Sequence, residues 1–235
     1  MDFIVPSNLL VLLMSFLSAL LISWISIPVI STIANTKNLM DEPGSRSSHV
    51  HKIPTLGGVA IFASVLSATC LWAEVFANFQ YIIFALTVLF FIGMKDDLLV
   101  ISPRKKFAAQ FLAATVVVVF GQIRINSLYG LFGLGELPEL AAIGLSIIFF
   151  VFVINAYNLI DGIDGLAGGL GMISSLFLSI FFIQMNEMAY GVMTLALAGA
   201  LLGFLRFNFS PRKKIFMGDT GSMLVGFLLA LFIVK

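Results

Sequence analysis

The chain has 235 residues, of which 60% are hydrophobic and 11% are charged, and its formal net charge is +1. A soluble domain of this length cannot bury so much apolar surface, so the composition excludes a soluble protein and indicates an integral membrane protein. The small net charge, with aromatic residues that lie in apolar runs, argues against a nucleic-acid-binding surface. The single cysteine, Cys70, excludes an internal disulfide and a cysteine-based zinc site.

Eight apolar runs predict an all-α, polytopic membrane helix bundle with about eight transmembrane helices, because an α-helix needs roughly 20 residues to cross a bilayer. We place these runs approximately at residues 9–30, 54–72, 75–94, 107–123, 140–154, 166–183, 188–205 and 221–234. Nearly all Lys and Arg residues follow odd-numbered runs. The positive-inside rule therefore predicts an external N-terminus and cytoplasmic loops that also carry most of the carboxylates.

The first predicted cytoplasmic loop gathers basic and histidine side chains before the second apolar run. Arg46, His49 and Lys52 lie in this loop and could bind a diphosphate. Taken alone, the basic residues are also explained as determinants of membrane topology. Both interpretations stay open at this point.

Asp96 and Asp97 follow directly after the third apolar run, where a membrane helix is expected to reach cytoplasmic water. Adjacent carboxylates repel each other, which raises the pKa of one of them and suits a division between metal ligand and general base. The alternative is a solvated helix end with ordinary charges. We interpret the basic residues at 104–106 as topology determinants.

A polar segment separates the fifth and sixth apolar runs, and Asn155, Asn158, Asp161 and Asp164 recur there at every third position. On a helical or 3₁₀ path their oxygens project along one side of the segment, drifting slowly around it. Carboxylates near lipid need a compensating cation or water, and Mg²⁺ with phosphate is the leading candidate. The alternative is a solvated loop whose aspartates cap the next helix.

The last apolar run opens with residues 216–222, which read Phe-Met-Gly-Asp-Thr-Gly-Ser. The two glycines permit a tight turn, while Asp219, Thr220 and Ser222 suit a helix N-terminus, where free N–H groups and the helix dipole favour anions. A simple helix cap would explain one of these residues but hardly all of them. The segment therefore predicts a site for an anionic ligand.

Taken in order, these motifs resemble those of the polyprenyl-phosphate N-acetylhexosamine-1-phosphate transferases, and most closely the group that uses UDP-GlcNAc and undecaprenyl phosphate. The resemblance covers nearly the whole chain and is carried by Asp41-Glu-Pro, by Arg46, His49 and Pro54-Thr-Leu-Gly-Gly58, by Asp96-Asp97, by 155–165 and by 216–222. It implies transfer of a sugar 1-phosphate, most simply GlcNAc-1-phosphate, from a UDP-N-acetylhexosamine to undecaprenyl phosphate, with release of UMP. This reaction would initiate a cell-envelope polysaccharide such as lipopolysaccharide at the bacterial inner (cytoplasmic) membrane.

The resemblance also implies roles for individual residues. Asp96 and Asp97 would be catalytic and would activate the lipid phosphate, while Asp97 and Asp219 would bind Mg²⁺, with Mn²⁺ as the alternative ion. Substrate binding would fall to a larger set, namely Arg46, His49, Lys52, Asn155, Asn158, Asp161 and Asp164. The implied partners are the UDP-sugar, undecaprenyl phosphate and the lipid bilayer, and a homodimer is allowed.

The chain departs from the family pattern at its C-terminal end. Family members continue through further spans and a late His-rich cytoplasmic loop, so we expect residues 1–235 to be a single integral membrane transferase domain that is incomplete at its C-terminus. This leaves a catalytically inactive fragment as one alternative. An ion-coupled transporter is a second, although its carboxylates should lie near mid-bilayer and its halves should repeat.

Overall fold

The computed structural model describes residues 6–37, 39–41, 53–74, 77–133, 135–211 and 213–235. Eight α-helices make up most of that part of the chain, and each coincides with one of the predicted apolar runs. The helices are α1 Pro6–Thr36, α2 Gly57–Trp72, α3 Phe79–Leu98, α4 Pro103–Thr115, α5 Glu139–Ile160, α6 Leu166–Gln184, α7 Met188–Asn208 and α8 Gly218–Val234. The prediction of an all-α protein is confirmed.

The remaining elements are short. α4 continues as a π-helix over Val116–Phe120, and a 3₁₀-helix covers Leu131–Gly133. Two antiparallel strands of two residues each, β1 (Met40–Asp41) and β2 (Ile53–Pro54), pair between α1 and α2. The carbonyl of Pro54 also accepts the N–H of Phe216 at 2.8 Å, so the segment before α8 is tied to the start of α2.

Four helices of the described chain are long and apolar enough to cross a membrane. They cover Asn8–Thr36, Glu139–Ile160, Leu166–Gln184 and Met188–Asn208. Large apolar side chains point outward from three of them, including Ile25 at 66%, Phe152 at 67% and Ile173 at 63% exposure. Water would not tolerate so many exposed apolar side chains, whereas lipid does. The chain is therefore a helical membrane protein.

α8 lies at the centre of the bundle and positions the site described below. All residues from 220 to 232 are buried, and the helix packs against α2, α3 and α5. The approach to α2 is very close, since a Cβ on Gly58 would lie 2.2 Å from the backbone nitrogen of Gly221. Only glycine allows two helix backbones to meet in this way. The N-terminus of α8 is thereby pressed against the ends of its neighbours.

α1, α6 and α7 form the other side of the bundle. α7 packs against α1, α2 and α6, and 78% of the residues in its most apolar stretch are buried. Because α7 ends at Asn208 and α6 begins at Leu166, these two helices bring the turn after α5 close to the segment that precedes α8.

Candidate active site

The predicted carboxylates converge at one end of the bundle, around a cavity of about 930 Å³. Each of the helices α3, α4, α5 and α8 brings polar side chains to it, and the turn after α5 adds two more carboxylates. The polar lining residues are Thr55, Asp96, Asp97, Lys106, Asn155, Asn158, Asp161, Asp164, Asn208 and Asp219. Residues from distant parts of the sequence therefore share one cavity.

Asp97, near the end of α3, accepts hydrogen bonds from the first turn of α8. Its Oδ1 accepts the N–H of Asp219 at 2.7 Å, and its Oδ2 accepts the N–H and the hydroxyl of Thr220 at 3.0 and 2.5 Å. The first N–H groups of a helix have no partner within the helix and form the positive end of its dipole. The Asp97 carboxylate therefore caps α8 from another helix.

Gly218 makes this cap possible. It has a φ of +71°, and a Cβ at this position would lie 2.6 Å from Asp97 Oδ1. Glycine is the residue that adopts a left-handed conformation without steric cost and also leaves room for the carboxylate. The glycine of the Gly-Asp-Thr-Gly segment thus serves the geometry of Asp97 and Asp219.

Lys106 of α4 lies between two carboxylates. Its Nζ is 2.5 Å from Asp219 Oδ1 and 3.1 Å from Asp96 Oδ2, and only 16% of the Lys106 side chain is exposed. The other oxygen of Asp96 accepts the N–H of Ile101 at 2.9 Å. One ammonium group therefore links the end of α3 to the start of α8 through the two charges.

Asn158, in the last turn of α5, reaches the same carboxylate from another side. Its Nδ2 is 2.5 Å from Asp219 Oδ1 and 2.7 Å from Ser222 Oγ. Asp219 is consequently the point at which α4, α5 and α8 meet through polar contacts.

Asp161 lies in the turn after α5 and faces the cavity. Its carboxyl group makes no hydrogen bond or ion pair within the described residues. Burial, followed by the charges of Asp219 and Asp97, raises the pKa of Asp161 to about 8, because burial and like charges both disfavour the ionised form. A cation in the cavity would reverse this preference.

Asp164 and Asn155 lie at opposite depths of the cavity. The Oδ2 atom of Asp164 is 2.5 Å from Lys214 Nζ, and the Asp164 side chain is 47% exposed, so this pair lies on the rim. Asn155 lies deeper, and its Nδ2 donates to Gln110 Oε1 and to the Val151 carbonyl, both at 2.7 Å. Their roles in substrate binding stay predictions.

Arg46, His49 and Lys52 lie outside the described residues, so the prediction that they bind a diphosphate stays a prediction. The described residues that follow them do reach the site. Thr55 lines the cavity. The N–H groups of Gly57 and Gly58 donate to the carbonyls of residues 216 and 217 at 3.0 and 2.8 Å.

Sequence reasoning missed the roles of Lys106 and Asn208. The basic run at 104–106 predicts only a topology determinant, yet Lys106 falls at helical spacing with Gln110, Ala113 and Val117, which are all buried. That pattern was the available signal, since a charge on the buried face of a helix needs partners.

Asn208 is a buried polar residue at the end of an apolar helix. It accepts the N–H of Gly165 at 2.6 Å and donates to the carbonyl of Ile215 at 2.9 Å. In this way it fixes the turn that holds Asp161 and Asp164 against the segment before α8. Its position at the close of an apolar run was the only signal in the sequence.

The oxygen donors of the cavity could hold a Mg²⁺ ion if water or phosphate supplied its other ligands. Within the described ranges, no group of three His, Cys, Asp or Glu side chains is arranged to hold a metal by itself. Mg²⁺ commonly uses one or two protein carboxylates and takes its other ligands from water and phosphate. Asp219 and Asp161 supply carboxylates to one cavity, and a 180° turn of the Asn158 amide would add its oxygen.

Comparison of the sequence with known proteins places the chain in a family. The profile of glycosyl transferase family 4 matches residues 79–235. The chain is 36% identical to decaprenyl-phosphate N-acetylglucosaminephosphotransferase of Mycobacterium leprae, over 91% of this chain and 58% of that protein. It is 34% identical to undecaprenyl-phosphate alpha-N-acetylglucosaminyl 1-phosphate transferase of Haemophilus influenzae, over 87% and 59%.

A third relative is phospho-N-acetylmuramoyl-pentapeptide-transferase of Thermoanaerobacter pseudethanolicus, with 29% identity over 76% of this chain and 60% of that protein. The chain thus spans less than two thirds of the length of these curated relatives. The matched residues run from α3 to α8 and include Asp96, Asp97, Lys106, Asn158 and Asp219. On the match of this profile to most of its length, the chain belongs to glycosyl transferase family 4.

Proposed function

We propose that the protein transfers GlcNAc-1-phosphate from UDP-GlcNAc to undecaprenyl phosphate, releases UMP and so initiates a cell-envelope polysaccharide. The observation that carries this proposal is the convergence of Asp161, Asp219, Asn158 and Lys106 on one cavity in a chain of family 4. Identities of 36% and 34% to two N-acetylglucosaminyl phosphotransferases, against 29% to the muramoyl-pentapeptide enzyme, support GlcNAc as the sugar.

We further propose that all eight helices cross the bacterial inner membrane, with the cavity on the cytoplasmic side. The distribution of basic residues in the structure supports this orientation. Lys95, Arg104, Lys105, Lys213 and Lys214 belong to helix ends and loops on the cavity side, whereas Arg124 and Lys235 lie at the opposite end. The lipid phosphate would then meet the cavity at the membrane surface, with its prenyl chain among the apolar helix faces.

Asp219 and Asn158 would hold the divalent ion, which we propose to be Mg²⁺ with Mn²⁺ as a substitute. When bound, the ion would offset the repulsion between the two phosphates that must react. Asp161 would then release its proton to water, because the positive charge of the ion would stabilise the ionised carboxylate. Lys106 keeps a further positive charge beside Asp219. Asp97, with both oxygens committed to α8, would act by holding Asp219 in place.

The chemistry requires one bond to form and one to break. An oxygen of undecaprenyl phosphate attacks the phosphorus of UDP-GlcNAc that bears the sugar. The bond from that phosphorus to the oxygen shared with the uridine-bearing phosphate breaks, and UMP departs with the bonding electrons. Because nucleophile and electrophile are both phosphates, positioning and charge neutralisation suffice and no covalent enzyme intermediate is needed.

Release of UMP tests the proposal directly. Detergent-solubilised protein is given UDP-GlcNAc and undecaprenyl phosphate, and we expect UMP only when both substrates and Mg²⁺ are present. EDTA and the Asp219→Asn variant should abolish it, whereas Thr194→Val, a change in a buried residue of α7 far from the cavity, should not. A transporter would release no UMP at any metal concentration.

We also propose that residues 1–235 form one transferase domain. The same assay on this chain and on a C-terminally extended one separates the alternatives. Activity only in the extended chain would make residues 1–235 a part of the catalytic unit, and no activity in either would refute the function. Light scattering in detergent tests whether the chain forms a homodimer.

A further inference from the structure

A buried polar contact lies beneath the charged cluster, which is formed by Lys106, Asp219 and the neutral Asn158. Gln110 of α4 is fully buried, and its Oε1 accepts a hydrogen bond from Asn155 Nδ2 at 2.7 Å. Its Nε2 lies 3.4 Å from Asn155 Oδ1 and 3.5 Å from the sulfur of Met223. The contact therefore joins α4, α5 and α8, the same three helices that meet at Asp219.

The buried contact and the charged cluster are in register. Each member of the first lies three or four residues, close to one helical turn, from a member of the second on the same helix. The pairs are Gln110 with Lys106, Asn155 with Asn158, and Met223 with Asp219. Residues at this spacing lie near one another on one side of a helix. The deeper contact and the charged one therefore lie about one turn apart on the same three helices.

The polar character of this contact makes the register specific. Apolar helix surfaces can pack in neighbouring registers with similar free energies, because apolar contacts do not require particular partner atoms. Two buried amides satisfy each other in one arrangement, and separating them leaves polar atoms unpaired in an apolar interior. A single buried amide pair fixes the register of coiled coils for the same reason.

We infer that Gln110 is a positioning residue whose pair with Asn155 sets the register of α4 against α5 and α8 and thereby holds the Lys106 ammonium between Asp96 and Asp219. Gln110 is fully buried, so it acts through Lys106. The catalytic consequence rests on the proposed function. The placement of Lys106 can be measured without it.

The first test measures the reactivity of Lys106. A brief pulse of acetic anhydride on the detergent-solubilised protein, followed by peptide mass spectrometry, compares Lys106 with its exposed neighbour Lys105. In the wild type we expect Lys106 to react more slowly, because only 16% of its side chain is exposed and its ammonium group is ion-paired. Gln110→Asn, which is one methylene too short to reach Asn155, should raise the Lys106 to Lys105 ratio roughly tenfold, as expected for loss of a charged hydrogen bond.

The reciprocal exchange provides the matched control. Adding Asn155→Gln to Gln110→Asn restores the combined length of the two amides and should return the ratio to the wild-type value. Thr194→Val also removes a buried hydroxyl from a helix and should leave the ratio unchanged. If thermal unfolding shows that Gln110→Asn is not folded, Gln110→Met takes its place, because methionine keeps the side-chain length and removes the amide. An unchanged ratio in a folded Gln110 variant would overturn the inference.

The second test is a double-mutant cycle on UMP release. Gln110→Asn should lower kcat roughly tenfold with little change in the KM for UDP-GlcNAc, and should lower kcat less than about twofold further when Lys106→Gln is already present. The same loss in both backgrounds would mean a general structural role and would overturn the inference. If neither the wild-type chain nor the C-terminally extended one released UMP, the proposed function would fall, and the acetylation ratio would still decide the role of Gln110.

Discussion

Replacement of Asp97 by asparagine tests whether this carboxylate is a cap of α8. Asp97 accepts the N–H groups of Asp219 and Thr220 and the Thr220 hydroxyl, through both of its oxygens. The asparagine side chain would keep one acceptor oxygen and would point an NH₂ group at the donors that remain. The variant therefore loses at least one charge-assisted hydrogen bond and the attraction of the charge to the helix dipole.

The expected loss of stability follows from these contacts. A hydrogen bond to a charged group contributes about 1.5–3 kcal/mol, and a charge at a helix end adds about 0.3–1 kcal/mol. Together they predict a loss of roughly 2–4 kcal/mol for Asp97→Asn. For a chain of this size, about 2–4 °C of Tm per kcal/mol converts this to a decrease of roughly 5–15 °C.

Thermal unfolding in detergent, followed by circular dichroism, measures this decrease. Asp164→Asn is the matched control, because Asp164 is 47% exposed and pairs with Lys214 on the rim, where an ion pair contributes about 0–1 kcal/mol. If Asp97→Asn unfolded within about 2 °C of the wild type, or no lower than Asp164→Asn, the cap would not stabilise α8 and the reasoning would be refuted.

Three further predictions concern the cation and the packing of α8. Asp219→Asn should weaken Mn²⁺ binding, measured by electron paramagnetic resonance, by more than roughly tenfold, because even replacing a residue that only hydrogen-bonds to a metal ligand can lower affinity that much. An affinity equal to that of the wild type would show that Asp219 does not bind the metal. Because the pKa of Asp161 is raised to about 8, the cation must displace its proton, so Mn²⁺ affinity should rise by up to about tenfold per pH unit from about pH 6 and level off above about pH 8. Asp161→Asn should flatten this profile, and an equally steep profile in the variant would contradict the assignment. Gly58→Ala places a Cβ 2.2 Å from the Gly221 nitrogen and should lower the free energy of unfolding by about 1–3 kcal/mol, which a lower Tm would show. An unchanged Tm would show that α2 and α8 can move apart without loss of stability.

The sequence predicted the helices and the convergence of the carboxylates better than it predicted their individual contacts. Long apolar runs specify helices whatever their neighbours, which is why all eight elements were found. The role of Asp97 as a catalytic metal ligand stays a prediction, whereas the hydrogen bonds that both its oxygens accept from α8 were not predicted. The motif shows which residue type is present, but the partner lies far along the chain and no local pattern identifies it.

The polar segment after residue 154 shows a second limit. A spacing of three residues turns about 60° short of a full circle on an α-helix and rises about 4.5 Å per step. Asn155 therefore lies deeper than Asn158 and on a rotated face, where it meets Gln110. Because α5 ends at Ile160, Asp161 and Asp164 leave the helix altogether. Because of these two effects, the four side chains do not form the regular strip of oxygens that the three-residue spacing predicts.

The cap between α3 and α8 has a consequence for biosynthesis. Asp97 precedes its backbone partner at 219 by 122 positions, so a ribosome moving at about 5–20 residues per second delivers that partner roughly 6–25 s later. Throughout this interval the nascent bundle carries a solvated carboxylate and no closed cavity. A chain whose translation stops ahead of α8 therefore lacks both the cap and the closed cavity, and any quality-control step that recognises unassembled membrane helices has that interval in which to act.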